Sequence, residues 1–207
     1  PDHAGWTVRA VPNLYPAAPH HEVVVEGAEH EQLPSRLPPE LWRDALTIHR
    51  RRIAHMEAQD DVRVAYLFKN VGHAAGASIA HNHTQILGLP MLPPRLELEL
   101  SHSRDGCPHC DEVRTAEAEG RVVVQGDHHI VLCPRAPKLP YETWLLPLDH
   151  GDDFLDHARG DDLASHHGLA AQGERAVGGQ GVDAHGAQAV TGIAVLETEV
   201  RHLQVVA

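Results

Sequence analysis

Phe68-Lys69-Asn70-Val71-Gly72-His73-Ala74-Ala75-Gly76-Ala77-Ser78-Ile79-Ala80-His81-Asn82-His83-Thr84-Gln85 is the stretch on which the reading of this chain turns. Upstream, Val62, Val64, Tyr66 and Phe68 alternate as in a half-buried strand. Downstream, Thr84 to Leu89 is an apolar strand, broken by the turn from Pro90 to Pro94. Between them lies a glycine loop that opens directly into His-x-His-x-Gln. If that segment is extended, His81, His83 and Gln85 share one face. The order suits phosphate chemistry. N–H groups around Gly72 and Gly76, with the Ser78 hydroxyl, can hold an anion. His83 can attack phosphorus as a nucleophile, and the Gln85 amide can donate to a non-bridging oxygen. The attacking imidazole must be neutral, so one ring nitrogen needs an acceptor that fixes the tautomer. The plain alternative is a glycine turn followed by surface histidines.

Composition narrows the classes. The chain has 207 residues, 42% of them hydrophobic, enough for one large domain or two small ones. A formal net charge of −12, from 17 basic and 29 acidic residues, argues against a broad nucleic-acid or anionic-membrane footprint. No apolar run approaches the roughly 18 residues of a membrane span. Three cysteines make no disulfide scaffold. No signal peptide is visible, and the chain opens on Pro1 rather than Met, so the expectation is a cytoplasmic protein given as a partial chain.

Further strands are expected at Thr7–Val11, Glu22–Glu26, Arg121–Gln125, His129–Leu132 and Thr143–Leu146. A helix opens at Pro38-Pro39-Glu40, with Leu41, Ala45, Ile48, Ile53 and Met56 near helical spacing and Arg50, Arg51 and Arg52 toward its C-terminal half. Interleaved antiparallel strands with few helices predict an α+β fold. After about Ser165 the chain loses proline and aromatic residues and is poorly specified. Leu163–Ala171 reads as a short helix and Ile193–Leu196 as a strand.

An internal echo organises the rest. Pro12…Glu22-Val23-Val24-Val25…His30 resembles Pro134…Glu142-Thr143-Trp144-Leu145…His150, with eight residues from Glu to His in each copy. Two tandem copies are therefore expected, one over 1–100 and the other over 101–207, both incomplete. Cys107-x-x-Cys110 with His150 fits three ligands of a tetrahedral zinc site. Cys-Pro-His-Cys also fits a redox pair at a helix start, and chance pairing stays open too. His202, with His185 behind it, is the candidate fourth ligand. Cys133 reads as a buried structural thiol. His30 and His81 form a second candidate metal pair, although His30 alone reads as a surface histidine.

These motifs resemble the galactose-1-phosphate uridylyltransferase family of the histidine-triad superfamily, with its ADP-glucose phosphorylase-like relatives. The likeness runs from Trp6-Thr7-Val8-Arg9-Ala10-Val11-Pro12-Asn13 through His21–Glu26, His30, Phe68–Gly72 and Gly76–Ser78 to His81–Gln85. It resumes from Cys107 to His150, through Pro140-Tyr141-Glu142-Thr143-Trp144. It implies histidine-triad-like antiparallel half-barrel sheets with flanking helices and a ping-pong nucleotidyl transfer. His83 takes the nucleophile position, with Gln85 beside it as the second catalytic residue. Val11, Asn13, Val23, Asn70, Gly76 and Ser78 take substrate-binding positions. His30, His81, Cys107, Cys110 and His150 take Zn2+-ligand positions. Glu99 falls where some relatives place a carboxylate for a second metal; an exposed acidic residue is the commoner reading. Partners would be a nucleotide sugar and a sugar 1-phosphate or phosphate, and the family also forms homodimers.

Three departures stand out. Asn82 replaces the proline common between the two histidines in the uridylyltransferases. Leu14 follows Asn13 where those enzymes carry an acidic residue. The upstream cysteine pair and a second-half His-x-His are missing. The expected activity is UDP-glucose–hexose-1-phosphate uridylyl transfer in galactose metabolism. ADP-glucose phosphorylase or adenylyltransferase chemistry, a histidine-triad nucleotide-binding hydrolase, and a zinc-stabilised structural domain are the alternatives.

Overall fold

A computed structural model describes residues 5–31, 33–102 and 106–150, together with the backbone of 194–197 and 202–206. The strands are β1 (Arg9–Pro12), β2 (His20–Val25), β3 (Val64–Lys69), β4 (His83–Leu89), β5 (Val122–Gln125), β6 (His129–Leu132), β7 (Glu142–Pro147), β8 (Ala194–Glu197) and β9 (His202–Val206). The helices are α1 (Pro39–Glu57), α2 (Pro94–His102) and α3 (Pro108–Glu119). Among the described residues every strand pairing is antiparallel, in one sheet of order β1-β2-β4-β3-β8-β9-β7-β6-β5.

The order repeats itself. β1-β2-β4-β3 is matched by β6-β7-β9-β8, and β3 pairs with β8 at the join. The registers repeat as well. Val25 faces His83 in the first half, and Leu145 faces Leu203 in the second; both members of the pair move by 120 residues. The α+β fold with two tandem copies is thereby borne out in the sheet itself.

Each half buries one face of its sheet. In the first, Val24, Ala65, Leu67 and Ile86 pack against Ile53 and Met56 of α1. The α1 stripe of Trp42, Ala45, Leu46, His49, Ile53 and Met56 recurs every three or four residues, as an inward helical face requires. In the second, Ile130, Leu132 and Leu146 pack against Ala116 of α3. The alternation of β2 and β4 sends the remaining side chains to the other face.

Strand expectations hold within one to three residues at their ends. β1 starts at Arg9 rather than Thr7, β2 at His20 rather than Glu22, and β7 runs Glu142–Pro147. Two helices were not anticipated. α2 covers Leu96–Leu100, where the sequence suggests only that Glu99 is an exposed acidic residue, and α3 follows Cys107 directly. The expected strand near 193–196 is β8, while the expected helix at 163–171, and with it His185, lies outside the described residues.

Candidate functional site

Register places the expected substrate residues together. Val11 faces Val23, Val23 faces Gln85, Phe68 faces Gln85 from the other side, and Val25 faces His83. Directly opposed residues in an antiparallel pair project to the same face. Val11, Val23, His83 and Gln85 therefore lie on the sheet face opposite α1, and Asn13, one residue past β1, joins them. Side-chain contacts bear this out at Asn13 and Gln85, whose amides meet at 3.4 Å across three strands.

His83 is buried, 5% exposed, at the first residue of β4. Its Nδ1 lies 2.8 Å from the His81 carbonyl oxygen. A carbonyl only accepts, so Nδ1 carries the proton and Nε2 keeps a free lone pair. This is the tautomer fixation that nucleophilic attack requires. Gln85 is fixed in the same manner. The Ala17 N–H donates to His21 Nδ1 at 3.0 Å, so His21 Nε2 carries the proton and donates to Gln85 Oε1 at 2.9 Å. With the oxygen taken by His21 and Asn13, the amide nitrogen is the free end of Gln85.

The glycine loop differs from expectation. Gly72 and Gly76 have φ of 78° and 84°, a region glycine enters without strain. The N–H groups of Ala75 and Ala77 donate to the Gly72 carbonyl, and that of Gly76 to the His73 carbonyl. These donors close a 3-10 turn over His73–Ala75 instead of forming an open anion cradle. Ser78 is exposed at the end of the loop.

His81 donates from Nε2 to the Gly27 carbonyl at 2.8 Å, which leaves Nδ1 as the acceptor or ligand atom. That Nδ1 lies 3.3 Å from Nδ1 of His30. The two rings of the expected pair thus lie together, 5.2 Å between centroids. In the second half Cys107, Cys110 and His150 bring their ligand atoms within 4.8 Å of one another. All three described cysteines are free. Cys133 is exposed, not buried as expected. Two thiols and an imidazole converging without a disulfide suit zinc in donor set and spacing. Burial, then the neighbouring Cys107, push the Cys110 thiol up, the opposite of the lowered thiol expected of a catalytic redox pair.

The fourth-ligand candidate His202 begins β9. By the 120-residue repeat the His81 position falls at 201, outside the described residues, and His202 holds the register position of Asn82. Leu203 holds that of His83. Glu99 belongs to α2 and accepts from Arg95 Nε at 2.8 Å. It lines a cavity of about 590 Å³ with His102, His109, Glu112 and Trp144, and joins no metal-ligand group among the described residues. Burial pushes His109 down, partly offset by Glu99 and Glu112.

A buried ionic cluster behind the histidines was missed. Glu26 Oε2 accepts from Lys69 Nζ and, at 3.0 Å, from Asn82 Nδ2; Oε1 accepts from Thr84 Oγ1. Lys69 also donates to the His83 carbonyl at 2.9 Å. His49 Nε2 lies 3.1 Å from Glu26 Oε1, near enough for ionic attraction though misaligned for a hydrogen bond. Burial opposes the Glu26 charge, but Lys69 and His49 override it and hold the carboxyl well below the usual range. Burial pushes Lys69 down, with Glu26 opposing. The signal was present in the sequence: Glu26, Lys69 and Thr84 fall on the inward parity of their strands, and His49 on the inward stripe of α1.

Comparison with known proteins follows this geometry. The curated ADP-glucose phosphorylase of Arabidopsis thaliana is 30% identical over 190 residues, covering 79% of this chain and 54% of the relative. Galactose-1-phosphate uridylyltransferase of Thermotoga maritima is 30% identical over 144 residues, covering 67% and 45%. The chain belongs to the galactose-1-phosphate uridylyltransferase family of the histidine-triad superfamily. It spans about half the length of these two relatives.

Solved structures of the family agree. The A. thaliana ADP-glucose phosphorylase with bound ADP-glucose superposes at a TM-score of 0.78, with 25% identity over 100% of this chain and 73% of that one. A uridylyltransferase structure gives 0.79 and 26%, over 97% and 72%. Residues 13–92 also match a family described as a domain of unknown function (DUF4931), N-terminal domain. A Bacillus cereus member of that family shares the fold, with a TM-score of 0.63 and 16% identity over 99% of this chain and 83% of that one.

Proposed function

We propose that this chain transfers a nucleoside monophosphate between a nucleotide sugar and a sugar 1-phosphate or phosphate, through a covalent bond to His83 Nε2. The observation that carries this reading is the fixed tautomer: Nδ1–H held by the His81 carbonyl, Nε2 bare, and the Gln85 amide on the same face. Nε2 attacks the α-phosphorus. The N–P bond forms as the bond from phosphorus to the bridging oxygen breaks, and sugar 1-phosphate leaves with that electron pair. The Gln85 amide donates to the non-bridging oxygen whose charge grows. In the second half-reaction an acceptor phosphate oxygen attacks the same phosphorus, and His83 leaves as neutral imidazole.

Residues 1–100 and 101–207 are assigned as the two copies, with the chemistry in the first. Leu203 at the His83 position supports a silent second copy. Cys107, Cys110 and His150 would hold one Zn2+, and His30 with His81 would supply two ligands of another. Bound zinc would supply structural bracing at both places.

Uridylyl and adenylyl transfer are equally supported. The match to ADP-glucose phosphorylase and Asn82 in place of proline favour the second; the similarity to uridylyltransferases favours the first. We assign a cytoplasmic location and a homodimer as the reading of the sequence and of the family resemblance. The protein is incubated with UDP-glucose and with ADP-glucose labelled at the α-phosphate. We expect acid-labile label on the protein from one donor, and none with His83→Ala. No label on the unaltered protein, or undiminished label on His83→Ala, ends the proposal.

A further inference from the structure

We propose that the buried Glu26–Lys69 pair, with Asn82 and Thr84 bound to it, positions the His83 imidazole for transfer. The inference rests on His83 being the nucleophile.

The geometry brackets His83. Asn82 before it and Thr84 after it each donate a side-chain bond to Glu26, and Lys69 donates to the carbonyl of His83 itself. Glu26 is 1% exposed and Lys69 6%. The nucleophile's own residue and both neighbours are thus tied to one fixed charge pair on the opposite side of the sheet.

The second half of the chain is an internal control. Leu146 stands at the register position of Glu26, one residue beyond the pair Leu145 and Leu203, and is 1% exposed in an apolar core. Gln204 takes the Thr84 position and faces Val195, which so occupies the Lys69 position. At the Glu26 position the same strand order closes over a buried leucine. The fold therefore does not require ions at this place. Burying two charges costs several kcal/mol per ion before their attraction repays it, and apolar replacements of similar size are often neutral or stabilising. The ion pair occurs in the half that carries His83; leucine and valine stand at those two register positions in the half that carries Leu203. Neither Glu26 nor Lys69 reaches the substrate face, so both are positioning residues.

The test uses the full chain and two variants. Glu26→Leu/Lys69→Val copies the second half at these two positions and removes both members of the pair together. Thr84→Val removes one bond from the bracket at constant shape. Nucleotidylation of His83 is timed at varied nucleotide sugar, and the His83 tautomer is read from 15N imidazole spectra. We expect the double variant to melt within a few degrees of the unaltered protein. Its labelling rate at saturation should fall about 30-fold, the order of loss from a small misplacement of a reacting group. The half-saturating concentration should stay within about 2-fold. Thr84→Val should lose several-fold in rate with the same split. In the double variant the single Nδ1–H tautomer should give way to a mixture.

A folded double variant with unaltered rate and tautomer overturns the inference, as does a changed half-saturation with unaltered rate. If the double variant fails to fold, Thr84→Val decides by the same criteria. If the unaltered protein takes no label, the transfer reading fails, and the imidazole spectra alone still decide whether the pair positions His83.

Discussion

Asn82 shows how much one residue in this motif does. Its N–H donates to the Glu31 carbonyl at 3.0 Å, its carbonyl accepts from Glu26 N–H at 3.2 Å, and its side chain binds Glu26. Proline at this position removes both donors and leaves part of a buried carboxylate unsatisfied. Asn82→Pro should therefore cost about 2–4 kcal/mol of stability, measured as a lower urea midpoint at unchanged slope; an unchanged midpoint would show that the residue is replaceable. Glu26 makes a second prediction. Its folded-state acidity is stronger than its ordinary value of 4.5, so it contributes stability above that value and loses it as pH falls toward its folded value. Acid unfolding should steepen below about pH 4, and Glu26→Gln should flatten that limb. If pH titrations of unfolding superimpose for the two proteins, the pair is not ionised as described. The histidines were legible because their spacing is unusual and their chemistry is nameable. Glu26 was not, because a lone glutamate ending a valine run reads as the exposed end of a strand. Only the pairing of three strands and α1 shows that four polar inward positions meet.

At the scale of elements, β4 carries the site and is constrained from both sides. Gly88 is its tightest point. A methyl group there would lie 2.8 Å from His20 Cβ and 2.9 Å from Val62 Cγ2, too close for either to yield cheaply. Gly88→Ala should destabilise by about 1–3 kcal/mol through overpacking. Because β4 also starts with His83, labelling should be lost along with the thermal midpoint. A variant of unaltered midpoint would mean that β2 and the residues before β3 can shift apart. Strands were readable from alternation, and α1 from its apolar stripe. α2 and α3 were obscured for a physical reason. Their inward faces hold one fully buried residue each, Leu96 and Ala116, which is too little for a visible period. Cys107 caps α3, its thiol accepting from the Cys110 N–H at 3.4 Å. That turn holds the two thiols toward His150, so a zinc titration should find about one tight equivalent lost in Cys107→Ser/Cys110→Ser. Equal zinc uptake by that variant would exclude the site.

At the scale of the whole molecule, two cores share one sheet. The first core uses β1 to β4 with α1, the second β5 to β7 with α3, and no residue belongs to both clusters. Among the described residues the halves join through main-chain pairing of β8 with β3 and with β9, and of β9 with β7. The echo of Glu22…His30 in Glu142…His150 foretold the two copies. It did not foretell that they meet strand to strand, because the joining strand lies far from both motifs in sequence. This arrangement makes the join a separable contribution to cooperativity. Leu196 lies mid-join, opposite Leu67 on one side and Leu203 on the other. Proline cannot donate to a ladder and is excluded from central strands. Leu196→Pro should therefore split the thermal unfolding of the chain into two calorimetric transitions, one for each core. The transition of the half that holds Cys107, Cys110 and His150 should be the one that moves with added zinc and with chelator. A single transition at an unaltered midpoint would mean that the halves are coupled by contacts other than this ladder.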